Sequence, residues 1–117
     1  MNKLLFAATL AFAVPSFASD YKCSGNRVEK SGSTVYTYRT SGSDFAIEKG
    51  GSTRGNAVKR GSNYAVEVGG STQATIENGK ILKGGSTWAS VSDAQRTYDC
   101  PDVVAATLWV LEKNGKL

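Results

Sequence analysis

Few side chains in this chain could do chemistry, and histidine is not among them. Its absence removes the commonest general base, the Ser/His and Cys/His nucleophilic pairs and the commonest metal ligand. Carboxylates could serve as an acid/base pair, chiefly Glu48 and Glu67, but these two occupy equivalent positions of an internal repeat. Catalytic pairs need unlike environments to hold unlike pKa values, and a repeat supplies like ones. Both therefore read as solvent-facing charges, and no catalytic residue is assigned. The Gly-Gly-Ser-Thr segments could cradle phosphate, yet no Gly-Lys-Ser/Thr element follows a strand and opens a helix, so a P-loop is excluded. Asp44 and Asn63 each follow Gly-Ser in connecting segments. One carboxylate per turn is too few for a calcium cage, and Asx turns explain them better. No metal or other cofactor is expected. Thr34, Tyr36 and Tyr38 share a face if the strand alternates, and an exposed strip there, with Tyr36 and Tyr38 as its rings, is the candidate binding surface for a glycan or peptide. The other aromatic residues, Phe45, Tyr64, Trp88 and Trp109 among them, read as packing residues.

The compartment decides what the two cysteines do. Asn2-Lys3 is a short positive start, Leu4 to Val14 is an apolar run broken only by Thr9, and small Ser16 and Ala18 stand before a cut after Ala18. Those eleven residues would cover only about 16 Å as helix, too little to span a bilayer. The expectation is a signal peptide over residues 1–18 and a single mature domain over 19–117, without a membrane span, in a periplasm or secreted. In such a compartment Cys23 and Cys100 read as one disulfide. The mature length allows one modest core. The formal charge is +4, with basic residues scattered along the chain and Lys59-Arg60 the densest pair. No basic stripe with interleaved aromatics is visible, so nucleic acid is not an expected partner.

An internal repeat is the main organising signal. The tetrapeptide [SG]-G-S-T occurs four times, with its glycine at Gly32, Gly51, Gly70 and Gly85, at spacings of 19, 19 and 15. Residues 41–53 and 60–72, SGSDFAIEKGGST and RGSNYAVEVGGST, align over thirteen positions and differ in type only at Ser41/Arg60 and Lys49/Val68. Each unit reads as two short strands around a glycine turn, with turns near 31–34, 50–53, 69–72 and 84–87. A two-residue Gly69-Gly70 loop would oppose Val66 to Gln73, mixing core and solvent faces. A three-residue loop over Gly69–Ser71 instead opposes Val68 to Thr72, Val66 to Ala74 and Tyr64 to Ile76, and it sets Glu48 against Arg54 and Val28 against Tyr36. The three-residue loop is the expectation, although the last unit, with Leu82 against Trp88, fits it poorly. With the further turns at 41–43, 60–62 and 78–79, the chain forms about eight strands by residue 92.

The fold class is mainly β: tandem antiparallel hairpins arranged radially into a closed form, or alternatively a short β-solenoid. A disulfide between the first and last strands favours closure, and Tyr21-Lys22-Cys23 resembles Tyr98-Asp99-Cys100 as partners in a final pair would. After Cys100 the pattern changes to one apolar helix over about 101–113, started by Pro101-Asp102 and stopped by Asn114-Gly115. So apolar a helix is buried on most sides or covers one end of the β layer.

From about Ser43 to Leu117 the chain resembles small bacterial repeat proteins described as five-fold β-flower proteins. The [VI]-x-K-x-G-S unit, here Ile47-Glu48-Lys49-Gly50-Gly51-Ser52, and the terminal Lys83-Gly84-Gly85-Ser86-Thr87-Trp88 carry that resemblance. It implies radial hairpins with pseudo-fivefold symmetry and no established activity. Four units are clear here rather than five, so a fifth petal is expected from the chain ends, clamped by Cys23 and Cys100.

Together these features point to an exported, non-catalytic binding or envelope-associated domain with an unknown protein or glycan partner. The alternative is a periplasmic inhibitor of a lysozyme-like enzyme, because Arg60-Gly61-Ser62-Asn63-Tyr64 and Ser41-Gly42-Ser43-Asp44-Phe45 faintly echo the loops of such inhibitors.

Overall fold

A computed structural model describes residues 20–117; the expected signal peptide and its cleavage site lie outside them. Ten strands and two helices follow one another as β1 (Tyr21–Ser24), β2 (Arg27–Lys30), β3 (Ser33–Ser41), β4 (Asp44–Lys49), β5 (Ser52–Arg60), β6 (Asn63–Val68), β7 (Ser71–Glu77), β8 (Lys80–Lys83), β9 (Ser86–Ser90), α1 (Val91–Thr97), β10 (Tyr98–Asp99) and α2 (Asp102–Lys113). The strands make one open sheet in the order β9 to β1 followed by β10. Each neighbour in that order is antiparallel except the last pair, where Tyr98 lies beside Tyr21 and Asp99 beside Lys22 in parallel. The chain ends thus meet as their matching tripeptides suggested, and the Cys23–Cys100 disulfide fastens them.

Because the sheet is a meander, its turns alternate between two rims. On one rim the loops are Ser31-Gly32, Gly50-Gly51, Gly69-Gly70 and Gly84-Gly85, and in each of them both residues have positive φ. That is the type I′ pattern, whose twist suits two-residue hairpins. Here the expected three-residue loop is corrected: Val68 opposes Ser71 and Glu67 opposes Thr72. A bulge follows, after which Val66 meets Ala74 and Tyr64 meets Ile76, as expected. The glycine pair dictates the turn while the core dictates which residues face inward, and one extra residue reconciles the two. The same bulge recurs in all four units and leaves Val35, Arg54, Gln73 and Trp88 without a partner in the ladder. Accordingly Glu48 opposes Thr53 rather than Arg54, Leu82 opposes Thr87 rather than Trp88, and the fourth unit is as regular as the others.

The sequence reading did not foresee α1. Its first turn is closed by a capping box, in which Ser90 Oγ accepts from the Asp93 amide at 3.0 Å and Asp93 accepts from the Ser90 amide at 3.1 Å. Hydrogen bonding from the Ser90 backbone amide, and then from its side chain, holds the Asp93 carboxyl below its ordinary value, with Arg96 adding to the effect. The helix packs against β9, β10 and α2. Flat, the edges of a ten-stranded sheet would stand roughly 43 Å apart, whereas α1, the whole link from Ser90 to Tyr98, covers about 10 Å. The sheet must therefore curl until α1 fills the gap between its edges.

What it curls around is α2. Val104, Ala105, Ala106, Thr107, Leu108, Val110 and Leu111 are buried, which covers every direction around the helix axis. The remaining polar group inside, the Thr107 hydroxyl, donates to the Val103 carbonyl at 2.7 Å. Val28, Ile47, Val66, Ala74, Ile76 and Ile81 line the sheet's inner face against it. A mainly β domain with a C-terminal helix is what the sequence led us to expect, with the helix buried on most sides.

A candidate anion-binding rim

The helix runs from near Cys100 to the rim bearing the four type I′ turns. At that far end its last turn meets the bulged residues of the repeat. Trp109 packs edge-on against Trp88 with ring centroids 4.8 Å apart, and Asn114 Nδ2 donates to Gln73 Oε1 at 3.1 Å. Val35 packs against the core, and Arg54 is half-buried with its Nε unpaired among the described residues. Beside them stands a tyrosine cluster: Tyr21 stacks on Tyr98 at 4.7 Å and on Tyr36 at 6.1 Å. The Tyr98 hydroxyl donates to Glu112 Oε1 at 2.6 Å.

This arrangement corrects the expected exposed strip. Tyr36 is only 7% exposed and belongs to the core. Tyr38 is half-buried, donates its hydroxyl to the Gly25 carbonyl at 2.6 Å and meets Phe45 edge-on. Two causes combine: α2 covers the inner face on which both rings lie, and the bulge at Val35 breaks the alternation that would have kept Thr34 with them. The other residues weighed for chemistry are also placed. Glu48 pairs with Arg39 at 2.7 Å and Glu67 with Arg60, each on a neighbouring strand of the outer face, so the two carboxylates are held separately. Asp44 Oδ1 accepts from the Lys59 amide at 2.9 Å, joining β4 to β5 at the end away from their turn. Tyr64 stacks on Phe45 at 6.1 Å rather than projecting from its loop. Among the described residues no group of three or more acidic or thiol side chains is placed to hold a metal.

Charge is where the structure gathers what the sequence scatters. Lys30, Lys49 and Lys83 each end the strand that enters a type I′ turn, so they share one rim; Lys113 and Lys116 join them from the end of α2. Four of the five lie over rings: Lys30 Nζ is 5.3 Å from the Tyr21 centroid, Lys49 5.8 Å from Tyr36, Lys83 4.6 Å from Trp88 and Lys113 5.4 Å from Trp109. The turn segments 30–34, 49–53, 68–72 and 83–87 and the tail 113–117 contain no acidic residue. By contrast, all four ion pairs among the described residues use arginine: Arg27–Glu29, Arg39–Glu48, Arg60–Glu67 and Arg96–Asp93. With the five rim lysines set aside, residues 20–117 hold eight basic and ten acidic side chains. The domain's excess positive charge is therefore on this rim.

No family model matches the chain, and no curated protein or solved structure does either.

Burial raises the phenol of Tyr98 far above its ordinary value, its hydrogen bond to Glu112 adding to the shift. Burial raises Tyr36 as well, helped by Tyr21, while Arg54 acts in the opposite direction. Above about pH 10 the unfolded chain loses these phenolic protons and the folded one keeps them. Stability is therefore present below pH 10 and falls as pH rises past it, by up to about 1.4 kcal/mol per pH unit for each such phenol. Urea unfolding between pH 8 and 11 should show this decline, and Tyr98→Phe should remove about one proton from the slope. An unchanged slope in that variant would place the alkaline sensitivity elsewhere.

Proposed function

We propose that the protein is an exported, non-catalytic binding domain of the cell envelope that engages an anionic partner through its lysine-bearing rim. One observation carries the reading: among the described residues four of the five arginines pair with carboxylates, while five lysines gathered on one rim face solvent without an ion pair and hold the domain's excess positive charge. Export is supported by the leader-like first eighteen residues and by an intramolecular disulfide, which persists in oxidising compartments. No helix among the described residues is long and apolar enough to cross a membrane. Radial petals belong to the same proposal, with the four type I′ hairpins as four of them and the β1–β10 pair as the fifth.

The test is capture from envelope extract, using the oxidised protein and a Lys30→Glu, Lys49→Glu, Lys83→Glu triple variant. Anionic partners held by the parent, released by salt and not held by the variant are the expected result. Equal capture by both proteins would remove the rim from the reading, and no enrichment by either would end the binding proposal itself.

A further inference from the structure

Resting on that reading, we propose that the rim's partner is an anionic lipid surface, on which the domain stands end-on with α2 along the surface normal. Three features favour an extended surface over a discrete ligand. First, the exposed rim cations are lysines, whereas four of the five arginines, whose planar forks suit individual carboxylates and phosphates, are paired with carboxylates and Arg54 is half-buried. A lysine is a compact point charge that needs no fixed geometry from its counterpart. Second, the meander brings the glycine-pair turns to one end of the molecule together with the end of α2, which spreads the charges over a face rather than into a cleft. Third, aromatic rings lie directly beneath the ammonium groups. Half-buried Trp88 and Trp109 form a pair under Lys83 and Lys113, and Tyr21 lies under Lys30. Amphipathic rings of this kind settle at headgroup level, while lysine stems follow apolar surface and leave the charge at the tip.

The turns themselves suit such contact. Gly-Gly-Ser-Thr presents no bulky side chain ahead of the lysines, so the ammonium groups can reach a plane of phosphates without obstruction. Five lysines near a negative surface act together, each strengthening partitioning about fivefold at moderate salt, and the attraction decays over about 10 Å at 0.1 M ionic strength.

Flotation of the oxidised full chain with vesicles tests this. Vesicles of phosphatidylcholine alone set the background that apolar residues 1–19 contribute, and vesicles containing phosphatidylglycerol test the rim. Binding should be selective for phosphatidylglycerol and weaken with salt. It should fall about a hundredfold or more in the Lys30→Glu, Lys49→Glu, Lys83→Glu variant. An Arg39→Glu, Lys59→Glu, Lys80→Glu variant carries the same net charge with its substitutions toward the opposite rim, and it should lose less than about tenfold. Circular dichroism and an intact disulfide confirm that each variant is folded. Equal losses in both variants overturn the end-on geometry. Absence of phosphatidylglycerol selectivity overturns the lipid assignment, and soluble polyphosphate then separates two cases. If it binds the parent and not the rim variant, the anionic-partner reading stands without lipid; if it binds neither, both readings fall.

Discussion

Replacing Cys23 and Cys100 with serine should lower the unfolding free energy by about 2–5 kcal/mol. The bond joins residues 77 apart in sequence, and closing a loop of that length in the unfolded chain corresponds to about 4.5 kcal/mol in the chain-entropy description. The native side depends on it as well. β10 has only two residues, too few to hold an edge by hydrogen bonds alone, yet it carries Tyr98, which is fully buried between Tyr21 and Glu112. Loosening β10 would free that ring, the start of α2 and the strand beside the disulfide. Urea titrations of the oxidised parent and the double-serine variant measure the effect, and the variant should also show a steeper denaturant dependence, since its unfolded chain is less compact. A loss under about 1 kcal/mol would mean that the ends hold together without the bond.

The second large effect is expected at Gly55. A Cβ there would lie 2.6 Å and 3.0 Å from the two Leu111 methyl carbons and 3.2 Å from the Glu67 carbonyl oxygen. Leu111 is fully buried, so its methyls have little room to retreat. Gly55→Ala should therefore cost about 1–3 kcal/mol, and Gly55→Val more. Leu111→Ala alone should cost about 2–5 kcal/mol by leaving a cavity. In the double variant the new methyl enters that cavity, so the combined loss should be clearly smaller than the sum of the single losses. Strict additivity in thermal or urea unfolding would show that strand and helix do not press on each other at this point.

Gly55 also shows where the sequence stops being readable. Its repeat equivalents are Tyr36, Ala74 and Ala89, so one position in the unit holds a large ring, no side chain and two methyl groups. A repeat announces that units are alike and is silent about the single helix they share. That helix presses on β5 through Leu111, while the space near β3 is filled by Tyr36. Strand order within hairpins, the apolar register and the meeting of the chain ends were legible because alternation and matching tripeptides encode them locally. The bulge was not, because turn and core make competing demands on the same residue. α1 was hidden because Trp88-Ala89-Ser90-Val91 continues a strand-like run across the capping box formed by Ser90 and Asp93. The lysine rim was present in the text as a lysine before three of the four glycine turns. Its meaning depended on the topological fact that alternate turns of a meander share an end.

The helix α1 between β9 and β10 has an evolutionary consequence. A stack of coils can be lengthened by copying a unit, since each copy meets only its neighbours. This wall encircles one helix of fixed girth, roughly 10 Å across, so an extra 19-residue copy would widen the ring and leave a hollow beside α2. A deletion would leave the helix too thick for what surrounds it. The filling of the centre therefore sets the number of units this helix can accommodate, whereas the letters within a unit are constrained only by its face and its turn.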